Sequence, residues 1–404
     1  MPGVDSAIDA GALAAEFARL VDFGRGFAYP GGGAAWLDEQ GEPAFDRPLF
    51  TWITARMAHV YATAHLLGVP GADALADHAL AGLTGPLRDA HAGGWFSSVQ
   101  DGQTPDEKAC YPHAFVVLAA SSATVAERPG ARELLDEALG VWQERFWDQT
   151  YAMFVDRWDR SFSRLDSYRG VNANMHAVEA LLAAADATGD AGLRDRALAI
   201  SLRVVAAAEQ HRWRIPEHFD PDWRPMLEHN QDRPDDPFQP YGATVGHGLE
   251  WSRLLLHLDA ARPDRVPQLR AAAAALFERA VADGWYADGR PGFVYTTDWD
   301  GRPVVRDRMH WVVAEAIAAA AALHQVTGDD RYAGLCRDWW SYAETYLIDR
   351  QAGSWHHQLD PENRPIATVW PGKPDLYHAV QATLIPRLPL APGLAVAISR
   401  GLLG

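Results

Sequence analysis

Six times along this chain a polar or charged side chain opens an apolar, alanine-rich run: Arg56, His113, His176, His247, His310 and His378, at intervals of 57, 63, 71, 63 and 68 residues. Five of the six are histidines. An imidazole ordinarily titrates near pH ~6.5, so it can take or give a proton near neutrality. A chain that returns such a group to one place in each helical unit aims all of them at a common centre, because a toroid of helix pairs brings equivalent positions together. Proton transfer on a small polar molecule is the chemistry expected there.

The sharpest local pattern is His247-Gly248-Leu249-Glu250, whose spacing of three puts imidazole and carboxylate on one helix face. The acid can orient the ring and stabilise its protonated form. The same spacing recurs at His176 and Glu179, preceded by Asn172 and Asn174. One such pair by itself reads better as a core histidine satisfied by its neighbour. Two pairs bury four ionisable groups, a cost tolerated mainly at active sites. His378 has no acid three or four residues on, and with His247 it makes a two-base couple. Arg56 follows Trp52 by four residues, so a guanidinium and an aromatic face project together and suit a hydroxylated ligand, or the arginine pairs with a carboxylate. His113 with Tyr111, and His310 with Trp311, complete the ring and shape the pocket. Most of the 16 tryptophans and 12 tyrosines must serve packing. Of His356 and His357, adjacent on a strand, one at most enters the pocket. The two His-x-x-Glu pairs could hold a metal, but such sites draw further glutamates from other helices and Glu315 is the one evident candidate, so no metal is expected.

These residues need helices to position them. Between the polar-headed runs lie amphipathic ones over 10–23, 72–87, 132–147, 193–208, 266–285 and 331–348. Six of each kind predict twelve helices, an apolar inner ring sheathed by an outer one. Aromatic segments ahead of Asp-Gly or Asp-Pro turns, such as Gly94-Trp95-Phe96 before Asp101-Gly102 and Ser354-Trp355-His356 before Asp360-Pro361, read as β-hairpins. The expected fold is all-α, an (α/α)6 barrel of twelve helices with short β-hairpins at one rim, forming a single catalytic domain over 1–404. An open helical solenoid is the alternative. The polar stretch Glu228 to Pro237 is long enough to lie as a loop over a pocket.

A net charge of -17 argues against nucleic-acid and anionic-membrane partners, whose phosphates need a basic face, and favours a small-molecule substrate. Two isolated cysteines, Cys110 and Cys336, fit a reducing compartment, and a cytoplasmic location is expected. Asp5, Asp9 and Glu16 interrupt the N-terminus, so neither a signal peptide nor a membrane anchor is expected. The run from Val312 to Leu323 is too short to span a bilayer.

Four stretches carry a resemblance: NANMHAVEA at 172–180, GATVGHGLEWSRLLL at 242–256, MHWVVAE at 309–315 and KPDLYHAVQA at 373–382. Through them the whole chain resembles the N-acylglucosamine 2-epimerase superfamily, in its aldose-ketose isomerase branch. The resemblance implies a cofactor-free enzyme acting on the open-chain form of a monosaccharide, mannose or a sulfonated hexose, through a cis-enediol. A sugar 2-epimerase is the nearest alternative, and an (α/α)6 glycoside hydrolase a more distant one. By the same resemblance His247 and His378 exchange the proton, Glu250 supports His247, and His176 and Arg56 hold the sugar and assist ring opening. Tyr111, Asn172, Glu179 and Trp311 then fall at pocket positions. One departure is Gln239, where members of the branch often carry an arginine before the Tyr-Gly run.

Overall fold

The computed structural model describes residues 7–404; residues 1–6, Asp5 among them, lie outside it. Thirteen α-helices follow one another: α1 (Ala10–Phe23), α2 (Thr51–Leu66), α3 (Ala72–Thr84), α4 (Cys110–Val125), α5 (Ala131–Arg145), α6 (Val171–Thr188), α7 (Ala191–Gln210), α8 (Val245–Ala261), α9 (Pro267–Gly284), α10 (His310–Thr327), α11 (Asp330–Tyr342), α12 (Tyr377–Leu384) and α13 (Leu394–Ser399). The even-numbered ones are the polar-headed runs. They are buried nearly all round: every residue of α2 from Thr51 to Ala64 and of α8 from Val245 to Leu256 is buried. The odd-numbered helices α1 to α11 bury one stripe, as α7 does with Leu193, Ala197, Ile200, Val204 and Ala208. A helix apolar on every side must be sheathed, so the two kinds sort into an inner and an outer ring.

Neighbouring inner helices pack in chain order, and α12 returns against α2. Each outer helix covers the inner helix before it, as α3 covers α2, while α1 at the start of the chain covers α12 near its end. Side chains reinforce this closure. Trp355 donates to Glu16 at 3.0 Å, Trp36 to the Pro371 carbonyl at 2.8 Å, and Lys373 to Asp349 at 2.7 Å. The short helix α13 was not legible in the sequence pattern; it crosses the far end of the ring against α2, α4 and α6.

Short strands gather at the other end. Their tips fold back at bridges such as Gln100↔Gln103 and Thr297↔Pro303, but the longer pairings run between units: Leu49–Phe50 with Ser98–Val99, Glu107–Ala109 with Arg157–Asp159, Arg169–Gly170 with His218–Phe219, Ala243–Thr244 with Thr296–Thr297, and Arg308–Met309 with Gln358–Leu359. Two- and three-residue strands are too short to stand alone, and pairing with the next unit completes them. The same stitching caps the inner helices. The first helical amide donates to the residue just ahead of the partner strand: Thr51 to Ser97, Cys110 to Asp156, Val171 to Glu217, Val245 to Tyr295 and His310 to His357, at 2.7–3.1 Å. Those amides have no partner within their own helices. In the sixth unit the Asp375 side chain accepts from Tyr377 N at 2.9 Å. All six inner-helix heads are thereby held at one rim.

Among the described residues no helix is long and apolar enough to cross a membrane, and Cys110 and Cys336 are buried free thiols.

Asn174, two residues past the inward-facing Asn172, shows how a rim segment is fastened to its helix. Its side chain accepts from Phe154 N at 2.8 Å and donates to the Phe154 and Gly170 carbonyls at 2.9 and 3.0 Å. Asn174→Leu should lower unfolding free energy by about 2–4 kcal/mol, because buried backbone groups lose their partners, and urea melts check this.

Candidate active site

At the rim the inner-helix heads enclose a hollow of about 640 Å³. Ten of the twelve residues expected there line it: Trp52 and Arg56 from α2, Tyr111 from α4, Asn172 and His176 from α6, His247 and Glu250 from α8, His310 and Trp311 from α10, and His378 from α12. Glu179 lies beneath, one turn below His176, with 3.7 Å between carboxylate and Nδ1. His113 is not in the hollow. A separation of two residues turns a helix by about 200°, so with Tyr111 facing inward His113 faces out. Its Nε2 accepts from Trp95 N at 3.1 Å, its Nδ1 bonds the Ala109 carbonyl at 2.6 Å, and burial pushes its pKa down to about 3. It fastens a rim segment to α4, as Asn174 does on α6.

The imidazole-carboxylate pairings differ from the local spacing. His247 Nδ1 bonds Glu217 at 2.8 Å, from the residue whose carbonyl caps α6, and not Glu250. His378 Nδ1 bonds Glu315 of α10 at 3.1 Å. A carboxylate at Nδ1 fixes the tautomer with the proton on that nitrogen and leaves Nε2 its lone pair. The two rings flank one indole: Trp311 lies 5.3 Å from His247 and 5.7 Å from His378, centre to centre. Gly246 makes this possible, since a Cβ there would lie 2.3 Å from the Trp311 ring. Burial drives the His378 pKa well below its usual value, with Arg56 adding to the effect.

Glu250 instead sits 3.8 Å from His176 Nδ1, and neither of its oxygens has a hydrogen-bond partner. Below it, Arg253 donates to Glu315 at 2.7 Å and lies 3.6 and 3.8 Å from Glu250 and Glu179. Three carboxylates thus share one guanidinium. Burial raises the Glu250 pKa well above the usual range, and the nearby Glu315 charge adds to it; burial raises that of Glu315 as well, against the opposing pull of Arg253 bonded to it. Tyr377 and Gln381 donate to Glu179, and despite its burial these contacts and those of His176 and Arg253 keep its pKa low. His176, Glu179 and Glu250 bring ligand-type atoms within 4.8 Å of one another, but Arg253 already supplies the positive charge a cation would bring.

Arg56 sits among the Trp52, Phe115 and Tyr377 rings, pairs with Asp375 at 3.1 Å and donates to Tyr111 Oη at 3.0 Å. Burial alone would lower its pKa; Tyr111 and Asp375 more than reverse that, so it stays charged. Its Nε has no partner, and the same holds for Asn172 Oδ1 and His176 Nδ1. One buried donor and one amide acceptor are therefore free to meet a hydroxylated guest, while His176 Nδ1 lies between the Glu179 and Glu250 carboxylates.

Residues outside the inner helices complete the walls. His357 stacks on His310 at 3.8 Å, whereas His356 faces Asp349. Phe238, 48 % exposed, and Trp370 meet edge-on at 5.6 Å over the outer side, the first next to the anticipated loop. Gln239 turns away, its side chain on His229 at 3.0 Å. His357 is the one of the adjacent His356-His357 pair that enters the pocket, whereas Glu217 and Tyr295 carried no local motif. Their signal was a second repeat, Ser97, Asp156, Glu217, Tyr295 and His357, at 59, 61, 78 and 62 residues, the positions that cap the inner helices.

The N-acylglucosamine 2-epimerase (GlcNAc 2-epimerase) family matches residues 32–382. The chain belongs to this family. A D-mannose isomerase from Thermobifida fusca is 54 % identical over 391 residues, covering 96 % of each chain. A D-mannose isomerase from Pseudomonas cannabina pv. alisalensis is 47 % identical over 395 residues, covering 96 % of this chain and 94 % of the other. Among solved structures, a D-mannose isomerase superposes with a TM-score of 0.86 at 26 % identity, over 92 % of this chain and 96 % of that one. The cellobiose 2-epimerase of Spirochaeta thermophila DSM 6192 shares the fold at a TM-score of 0.81 and 23 % identity, over 94 % and 95 %. The (α/α)6 architecture of the family is therefore that of this chain.

Burial, against a partial opposing pull from Asp375, pushes His310 down to about pKa 4. Folded His310 is then neutral where its unfolded form takes a proton, so the stability it contributes is whole above pH ~6.5 and declines as pH falls toward 4. The stability advantage of wild type over His310→Gln should shrink by up to about 1.4 kcal/mol per pH unit in that window. Urea melts at pH 7 and pH 5 test this; an unchanged difference would mean that the folded imidazole is not held neutral.

Proposed function

We propose that this chain is an aldose-ketose isomerase that interconverts mannose and fructose by proton transfer through a cis-enediol. The observation that carries the reading is the pair of imidazoles on one hollow, His247 on Glu217 and His378 on Glu315, each with its inner nitrogen on a carboxylate. Each is thereby prepared as a base at Nε2. One takes the proton from C2 of the open-chain sugar while O1 gains a proton, giving the enediol. Return of a proton to C1 and loss of the O2 proton then leave the ketone at C2. Arg56, with its free Nε, and His176 hold the sugar, assist ring opening and meet the charge that develops on the oxygens. Trp52, Tyr111, Asn172, His310 and Trp311 shape the cavity around it, and Glu250 and Glu179 support His176 from below. His113, fully engaged with backbone, takes no part.

The names of the relatives at 54 % and 47 % identity support the isomerase outcome over reprotonation at C2, which would make a 2-epimerase from the same enediol. A neutral hexose fits better than a sulfonated one, since the Arg56 charge is balanced by Asp375 and Gln239 lies elsewhere. A glycoside hydrolase would need two carboxylates facing the scissile bond, and here Asp375 is committed to Arg56. No metal is invoked, given Arg253 in the carboxylate cluster. Because all six inner helices build the hollow, residues 1–404 act as one catalytic unit, and the free buried thiols suit the cytoplasm.

In deuterated water, fructose formed from mannose should carry solvent label at C1, with the rate unchanged by a chelator. Unlabelled fructose would point to hydride transfer and sink the mechanism. His247→Ala and His378→Ala should each abolish turnover. Glu217→Gln should lower kcat by roughly 10² or more with KM little changed, because the base loses its tautomer-fixing partner; steady-state kinetics give both numbers.

A further inference from the structure

A second hollow, of about 630 Å³, lies at the opposite end of the inner ring. Five inner helices, α2, α4, α6, α8 and α12, line both cavities, and in all but α4 the two linings come within one turn of each other, as Arg56 and His59 do on α2. α6 gives His176 to the upper and Glu179 to the lower; α8 gives Glu250 and then Arg253; α12 gives His378 and then Gln381. The layer joining them, in which Gln381 and Tyr377 donate to Glu179 and Arg253 donates to Glu315, is floor to one and ceiling to the other. The base is closed by α13, whose lead residue Gly393 donates to Asp186 at 2.5 Å.

The lower hollow contains polar atoms that nothing satisfies. Gln381 Oε1 and His257 Nε2 are buried there without hydrogen-bond partners, Gln381 only 3 % exposed, while Arg253 Nη2 is held between the Glu250 and Glu179 carboxylates. Buried polar groups in native interiors are paired, with protein, with water or with a ligand. Here an amide acceptor and an imidazole nitrogen line one space without partners, while Leu118, Leu254, Ile385 and Val396 offer it a hydrocarbon wall. The charges cancel within the protein: Arg253 faces Glu179, and Asp186 pairs with Arg194 at 2.5 Å. Burial keeps His59 and His257 neutral, both pushed down to about pKa 4. A guest therefore needs hydroxyls and an apolar face but no charge.

We propose that this basal hollow is a second binding site, for a small neutral polyhydroxylated molecule of polyol or free-sugar size, and that its occupancy is felt at the rim through Glu179, Arg253 and Gln381. α13, six residues long, forms its outer wall. Only the effect on turnover rests on the isomerase reading; binding does not.

D-Mannitol, which has no carbonyl to react, is the probe. Calorimetric titration should give two molecules per chain for the wild type and one for Ala183→Leu and for Ala395→Phe, both of which fill the base without touching the rim. Ala395 lies on the separate helix α13, so one variant remains informative should the other fail to fold. Against mannose turnover, mannitol should lower kcat as well as raise KM in the wild type, and act on KM alone in the variants. The same number of mannitols per chain in the wild type and in both variants overturns the proposal, the hollow then holding water only, whereas one in the wild type and none in the variants keeps the basal site and denies the rim a polyol. A wild type that binds two mannitols yet converts no mannose would defeat the isomerase reading and leave this one standing.

Discussion

The structure depends on where the inner helices begin. A helix has no internal partner for its first amides, and in five of the six units the first of these is met by a carbonyl from the next unit. That single hydrogen bond, repeated with the short ladder beside it, holds the heads of the inner helices level at one rim. The hollow exists because of this registry. Its residues arrive from six helices spread over most of the chain, and a slip of one residue in any unit would turn the inward side chain by about 100°.

The interior carries an unusual load of ionisable groups for so apolar a shell. They are tolerated because they are layered and mutually balanced: Arg56 with Asp375 at the rim, and Arg253 among Glu179, Glu250 and Glu315 a turn below. The balance is incomplete at the atoms facing the hollow, where Arg56 Nε, Asn172 Oδ1 and the Glu250 oxygens stay unpaired. Such groups are costly to leave alone and inexpensive to satisfy with hydroxyls. The same local incompleteness that weakens the fold prepares it to bind a sugar.

Capping and chemistry share residues. Glu217 closes α6 with its carbonyl and orients His247 with its side chain; His357 does the first for α10 and stacks on His310 with its ring. The site is therefore preorganised by the same contacts that close the ring, and the bases need no separate scaffold to hold them.

The recurrence of a polar residue ahead of each apolar run, and the alternation of fully apolar with amphipathic runs, disclosed twelve of the thirteen helices and the two-ring architecture. These are one-dimensional periodicities, so the chain alone displays them. Which pairs of side chains bond was decided by the tertiary structure. The i, i+3 spacing suggested Glu250 for His247, yet Glu217 reaches His247 from the rim segment ahead of the His218–Phe219 strand and Glu315 reaches His378 from the adjacent helix α10, because a side chain turned toward the ring centre meets neighbouring elements as readily as its own next turn. His113 matched the repeat in spacing but missed it in phase, two residues and about 200° from Tyr111. Sequence position determines that a group recurs; only packing between units determines what it faces.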